Sequence, residues 1–421
     1  MQNTKRLVGY KFRIYPTEDQ KAFFAGNFGC CRFIYNHFLR LRQTAYERFG
    51  VKATFLRLKR EIPILKKMER YAFLKSANSQ SLQEALSDLE NAYQRFFKGL
   101  GEYPKYRKKS GRQAFTVPQT FCLKRSKRGN WYLTIPKLGS GIKVKVHRSV
   151  VGKLKQLTIS KNPSGKYYAS FNCEVEGIIP TKKASYDYGA IDLGLKSFLV
   201  TDRGEKIDPP KFLRKLEKKL IASSRELSRK KKGSSNRNKA RLKVAKIHEK
   251  IANQRKNFLH QESFNVVIEN QVTYIEDLLV KGLVRNRCLS KSFSDGSLGE
   301  FTRMLIYKAE WRGRVVQKIG RFEPSSKRCS ACDVINEDLK LCDREWECGY
   351  CHTFHDRDIN AAKNILEIGL QMSLGKDLPK VRPVERQTSV FSQMETDKLL
   401  DEAGSGSQVL FLRCSGIHSR E

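Results

Sequence analysis

The sequence predicts a multidomain α+β chain: a small β-barrel interrupted by a helical lobe, followed by a mixed α/β unit that carries a cysteine-bound metal. Three observations predict it. Apolar and polar residues alternate at the amino end, and short strand patterns recur between residues 115 and 175. Between those stretches the apolar residues recur at helical spacing. Farther on, CSAC and CGYC are separated by fifteen residues, so two tight turns supply four thiolates, the donor set of a tetrahedral zinc site.

The elements follow in order. Val8, Tyr10, Phe12 and Ile14 define a strand that Pro16 ends. Thr17 and Gln20 form a capping box for a helix through Phe23, Phe24, Phe28, Ile34, Tyr35, Phe38 and Leu41. A second helical block, about residues 80–100, places Leu82, Leu86, Leu89, Tyr93, Phe96 and Phe97 on one face. Residues 17–100 thus read as a helical lobe inserted after a single strand, with the aromatic stripe as its core. PKYRKKSGRQ is a basic connector, and short strands follow at Phe115–Val117, Trp131–Ile135, Ile142–Val146, Leu157–Ile159 and Tyr167–Val175. Lys143, Lys145, Lys153 and Lys155 alternate with apolar positions and give this part a basic, solvated face suited to phosphate contact.

YGAIDLGLKSFLVTDRGEKI reads as three strands joined by turns, with Asp192 at the exposed end of the first. Gly194 permits either a tight turn or close backbone approach to a phosphate. A basic helical hairpin spans residues 211–260, with KKKGSSNRNK between its arms. Leu213, Leu216, Leu220 and Leu227 line one helix, and Val244, Ile247, Ile251 and Phe258 the other. Its acids are Glu217, Glu226 and Glu249 against many Lys and Arg, a bias that favours a nucleic-acid face. A strand at Val272–Ile275 delivers Glu276 and Asp277, a helix spans Leu298–Trp311, and a strand spans Val315–Phe322. A last helix opens near Asp358 and carries Ile359, Ala361, Ala362 and Ile365. The tail, residues 372–421, is rich in Ser, Gly, Pro and charge and reads as mobile.

Composition narrows the partners. The 421-residue chain carries a formal charge of +39, which attracts polyanions. No uninterrupted apolar run is long enough to cross a bilayer and the amino end lacks an apolar signal core, so a cytoplasmic, nucleoid-associated location is expected. Of eleven cysteines, Cys329, Cys332, Cys348 and Cys351 have ligand spacing; Cys30, Cys31, Cys122, Cys173, Cys288, Cys342 and Cys414 read as buried thiols.

Asp192, Glu276 and Asp358 form the candidate catalytic set. One ends a strand before a hairpin, the second ends another strand, and the third begins a helix after the cysteine stretch. More than eighty residues separate neighbours, so only a fold brings them together. Hard oxygen donors suit Mg²⁺, and hydrolysis of a phosphodiester by two such ions needs a carboxylate cluster with one bridging ligand, assigned here to Asp192. Asp277 would point to the opposite face of its strand from Glu276, and Asp356 reads as an N-cap.

The order IDLG, IEDL, CxxC, CxxC, DRDINAAKNI resembles the split RuvC nuclease domain of the TnpB family, proteins of insertion sequences related to type V CRISPR effectors. YKFRIYPTEDQ, FGCCRFIYN, PKYRKKSGRQAFTVP, SFSDGSLGEFTRMLIYKAEWRGR and FEPSSKRCSAC extend the resemblance over roughly residues 5–370. It implies a wedge β-barrel (1–16 and 101–182), a helical recognition lobe (17–100), an RNase H-like RuvC nuclease domain (183–328 and 353–371) and a zinc ribbon (329–352). It further implies RNA-guided cleavage of double-stranded target DNA, with a guide RNA derived from the transposon end. The family's catalytic Asp, Glu and Asp carry over onto Asp192, Glu276 and Asp358, binding two Mg²⁺, and its structural Zn²⁺ ligands onto Cys329, Cys332, Cys348 and Cys351. Base pairing would then read the sequence while basic residues grip the backbone.

Two other functions compete. A guided or sequence-specific DNA-binding regulator of transposition would need none of the three carboxylates, and all three are present. A strand-transferring transposase of the tyrosine type would need a His-hydrophobic-His motif, and none is evident.

Overall fold

The computed structural model describes residues 5–177, 183–278, 296–321, 323–340 and 342–374. The chain divides into two compact units, the first ending at Gly177 and the second beginning at Ile178.

The first unit is built on strand β1 (Lys5–Tyr15), which buries Val8, Tyr10, Phe12 and Ile14 on one face. Helix α1 (Glu18–Phe49) follows, with the expected cap: the Thr17 hydroxyl accepts from the Gln20 N–H, and Gln20 Oε1 accepts from the Thr17 N–H. Gly50, at φ 63°, closes the helix in the left-handed conformation. Next come α2 (Phe55–Lys67), a 3-10 segment (Glu69–Ser76) and α3 (Ser79–Phe97). Strands β2 (Gln113–Val117), β3 (Cys122–Arg125), β4 (Trp131–Thr134), β5 (Ile142–Lys145), β6 (Lys153–Lys161) and β7 (Tyr167–Glu176) complete the unit.

These seven strands form one sheet in the order β2-β6-β7-β1-β5-β4-β3. The amino-terminal strand therefore lies in the middle, antiparallel to both β7 and β5. The sheet expected as a small barrel is a half-barrel with β2 and β3 at its edges. Aromatic packing joins the helices to it, with Phe24 against Phe115 and Tyr167, and Phe28 against Phe115, at ring-centroid distances of 5.6–5.9 Å. Lys143 and Lys145 alternate with buried Ile142 and Val144, so the basic face is present.

In the second unit β8 (Tyr186–Asp192), β9 (Leu199–Thr201) and β10 (Lys206–Ile207) form an antiparallel meander. The basic hairpin is α4 (Phe212–Arg229) and α5 (Ser235–Glu269), the second arm running past the expected end at His260. Then come β11 (Asn270–Ile275), α6 (Leu298–Trp311), β12 (Val315–Lys318), the hairpin β13 (Glu345–Glu347) with β14 (Phe354–Asp356), and α7 (Arg357–Leu374). The sheet order is β10-β9-β8-β11-β12, with β8, β11 and β12 parallel.

Helices cover both faces of this sheet. Ile191 and Ile275 pack with Leu259 and Val266 of α5 and with Phe301 and Leu305 of α6. Their neighbours Ala190 and Tyr274 face the other way, onto Ile365 and Ile368 of α7. No helix among the described residues is long and apolar enough to cross a membrane. Beyond Leu374 the expected tail lies outside the described residues, as do Cys288 and Cys414. Cys30, Cys31 and Cys173 are buried thiols as expected, and burial pushes Cys31 up to about 12. Cys122 is only half-buried and Cys342 is exposed, because each sits at an edge, one on an outer strand and one on a turn.

Close packing of α7 on β11 requires Gly369: a Cβ there would run into the buried ring of Tyr274. Gly369→Ala is therefore expected to destabilise the protein by about 1–3 kcal/mol despite alanine's better helix propensity. Chemical denaturation checks this, and unchanged stability would mean that α7 does not need this close approach.

Candidate active site and four-cysteine centre

The candidate carboxylates are placed by register. Ile275 of β11 pairs with Ile191 of β8 in a parallel ladder. The next residue on each strand, Glu276 and Asp192, therefore emerges side by side at the carboxyl edge of the sheet. Alternation sends both to the face covered by α7, because Tyr274 and Ala190 already face it. Asp358 lies in the first turn of α7. The edge between β8 and β11 is also where the strand order reverses, the usual location of a site in an open α/β sheet.

Electrostatics tie the three together. Burial, and then the charges of Glu276 and Asp358, push the Asp192 carboxyl from 3.8 up to about 7; the Leu193 N–H and Arg357 act in the opposite direction. Asp358 has Arg344 at 3.6 Å, and Glu276 Oε1 accepts a hydrogen bond from Ser325 Oγ at 2.5 Å. A divalent cation would relieve this repulsion, and the donors are the hard oxygens that Mg²⁺ takes.

Asp277 and Asp356 have other partners. Asp277 is occupied by ion pairs to Lys318 at 2.7 Å and Arg321 at 2.5 Å. Asp356 caps α7, its Oδ1 accepting from the N–H groups of Asp358 and Ile359 at 3.1 Å each, while its Oδ2 pairs with Lys206. Gly194 serves the turn, since a Cβ there would lie 2.9 Å from the Ser197 carbonyl oxygen.

The four expected cysteines converge. The sulfurs of Cys329, Cys332, Cys348 and Cys351 lie within 4.8 Å of one another, the only such group of potential metal ligands among the described residues. Four thiols from two turns at that separation suit one tetrahedral ion with closed coordination. Thr353, by hydrogen bonds from its side chain and backbone, lowers the Cys351 thiol to about 6.

Sequence reasoning did not assign His355 or Ser325. Buried His355 lies opposite Trp346 in the β13–β14 hairpin, and its Nε2 is 3.0 Å from the Cys329 sulfur. The available signal was a histidine four residues past the last cysteine. For Ser325 it was a serine just ahead of the first cysteine.

Acids at the edge of an α/β sheet and four cysteines in the same unit are donor sets of the kind used by metal-dependent nucleases. Comparison with known proteins gives the family. A family model described as "Probable transposase" (OrfB_IS605) matches residues 170–287, and a Cas12f1-like TNB domain model matches 299–365. A model described as a helix-turn-helix domain matches 1–50, although the described residues of this segment form one strand followed by one long helix.

Among the relatives, a protein of Streptomyces pristinaespiralis named as an RNA-guided DNA endonuclease is 37% identical over 393 residues, covering 92% of this chain and 94% of its own. InsQ of Escherichia coli strain K12, also named as an RNA-guided DNA endonuclease, is 29% identical over 405 residues, covering 92% of this chain and 99% of its own. The cryo-EM structure of a Cas12f1–sgRNA–target DNA complex shares the fold, with a TM-score of 0.56 at 14% identity over 83% of each chain. The chain belongs to the TnpB family.

The raised Asp192 carboxyl gives a pH signature. The unfolded chain releases this proton near 3.8, whereas the folded chain holds it to about 7. Between those values the folded state binds more protons, so this group's contribution to stability falls as pH rises through the window. In buffer free of divalent ions, Asp192→Asn is expected to flatten that decline and to melt a few degrees above the parent at about pH 8. Thermal unfolding across pH checks this, and parallel curves for the two proteins would refute it.

Proposed function

We propose that this chain is the RNA-guided DNA endonuclease of an insertion sequence, cutting double-stranded target DNA at Asp192, Glu276 and Asp358. The observation that carries the reading is the side-by-side emergence of Asp192 and Glu276 at the sheet edge with Asp358 on the helix that covers them. The sheet supports an RNase H-like, RuvC-type domain: three antiparallel strands at one side and two further parallel strands at the other, in the order 3-2-1-4-5. Residues 183–328 and 353–371 would form that domain and residues 329–352 a zinc ribbon. The half-barrel of residues 1–16 and 101–182 would be the wedge domain, and 17–100 the recognition lobe.

Asp192, half-buried beside two other acids, would hold Mg²⁺ together with Glu276 and Asp358. Two Mg²⁺ ions bound there supply the activation of water and the charge stabilisation of the leaving oxygen. Arg344 offsets the Asp358 charge, and Ser325 steadies Glu276. Cys329, Cys332, Cys348 and Cys351 would hold one structural Zn²⁺, and the hairpin leading to α7 would transmit that rigidity to Asp358. A guide RNA from the transposon end and a target duplex both present phosphate backbones, and the +39 charge supports gripping them. The hairpin of α4 and α5 contributes, with many Lys and Arg exposed along it.

Expression beside the native flanking DNA, followed by sequencing of co-purifying RNA, tests the guided reading. One discrete species running past the end of the element is expected; a smear of host RNA would reduce the protein to an unguided nuclease. Programmed with that RNA, Asp192→Ala should lose cleavage by at least ~10³-fold, about 4 kcal/mol of transition-state stabilisation, while retaining the RNA. Undiminished cutting would remove Asp192 from the site. Elemental analysis should find one zinc per chain, lost in Cys348→Ser; full zinc in that variant would rule out the four-cysteine assignment.

A further inference from the structure

A buried hydroxyl outside the three carboxylates bears on how one of them is aimed. Ser325 is 3% exposed and its Oγ donates to Glu276 Oε1 at 2.5 Å. Glu276 comes just after the end of β11, so the ladder does not hold its side chain, and Asp192 on the neighbouring strand repels it. A flexible glutamate under that repulsion would swing away unless one oxygen were tied. A hydroxyl that donates to Oε1 leaves Oε2 free to meet a cation.

Ser325 is itself held. Its N–H donates to the Glu323 carbonyl at 2.8 Å, and its own carbonyl accepts from Asn364 Nδ2 at 2.7 Å. Asn364 also reaches the Arg328 carbonyl at 2.6 Å. Asn360, one turn earlier on α7, donates to the same carbonyl at 2.7 Å and accepts from the Ser330 N–H at 2.9 Å. Both asparagines are 1% exposed, and an i, i+4 pair lies on one helix face. The helix that begins with Asp358 therefore grips, by two side chains, the loop whose serine holds Glu276. That loop runs directly into Cys329.

We propose that Ser325 is a positioning residue for Glu276, fixed by Asn364, and that this loop links the metal-facing orientation of Glu276 to the helix bearing Asp358. The inference rests on the reading of Asp192, Glu276 and Asp358 as a divalent-ion site. Outer hydrogen-bond partners of carboxylate ligands set the ligand's orientation, and losing one costs metal affinity.

Mn²⁺ titration followed by electron paramagnetic resonance, on full-length protein, tests this without relying on cleavage. Ser325→Ala is expected to weaken Mn²⁺ binding about ten- to a hundredfold, with zinc content unchanged, and Ser325→Thr, which keeps the hydroxyl, to restore it. Glu276→Gln serves as the reference for a disabled ligand. Ser325→Ala binding Mn²⁺ as tightly as the parent, while Glu276→Gln binds weakly, would overturn the proposal and leave the carboxylate site standing. Parent-like binding by both variants would overturn the carboxylate reading and the proposal with it. If Ser325→Ala fails to fold, Ser325→Cys, a weaker donor of similar size, provides the same comparison. A parallel shift in the Mg²⁺ concentration for half-maximal cleavage, at unchanged affinity for target DNA, is the expected kinetic counterpart.

Discussion

Mutual repulsion among three carboxylates is the constraint around which the second unit is arranged. Burial first, and then the like charges of Glu276 and Asp358, disfavour the ionised form of Asp192 and raise its carboxyl to about 7. Such a cluster persists in a folded chain only where surrounding packing over-determines it. Here that packing is a parallel ladder with helices on both faces. Ile191 and Ile275 anchor one side, and Ala190 and Tyr274 the other, so the residue after each pair has little freedom to be elsewhere.

The polar groups near the cluster divide the work of holding it. Ser325 ties Glu276, Arg344 lies beside Asp358, and Asp356 caps the helix on which Asp358 stands. The two neighbouring acids are removed from competition by their own partners: Lys318 and Arg321 for Asp277, Lys206 and the helix N–H groups for Asp356. The large cationic excess of the chain makes this easy, because basic partners are close at hand for any acid on its surface. The four-cysteine centre belongs to the same arrangement. Buried Cys329, Trp346 and Cys348 form its small core, and the strand β14 leads from it straight into α7.

Much of the architecture is legible where one local rule dominates. Alternation from Val8 to Ile14 identified β1, and Thr17 with Gln20 identified the start of α1, because both signals depend only on near neighbours. Helix α6 was read with its ends at Leu298 and Trp311. Helix α2 escaped notice because Pro63 interrupts it, although Leu58, Ile62 and Leu65 have helical spacing and are buried. Strand β3 is four residues long with a single buried side chain, Leu123, too little for a periodic signal. Whether the first sheet closes was equally hidden, since closure depends on whether β2 and β3 meet and not on the pattern within either strand.

By itself the sequence determined the ingredients: a polyanion-binding charge, four thiols at ligand spacing, strands and helices of given period, and three acids in a recognisable order. Each is a matter of composition or of spacing along one segment, where covalent geometry and local periodicity suffice. Tertiary structure alone decided that Asp192 and Glu276 lie side by side, that His355 reaches Cys329, and that Ser325 reaches Glu276. Those contacts join residues separated by a strand register, a hairpin or a helix face. Register and packing are collective outcomes of burying both faces of the sheet, and no short stretch of chain encodes them.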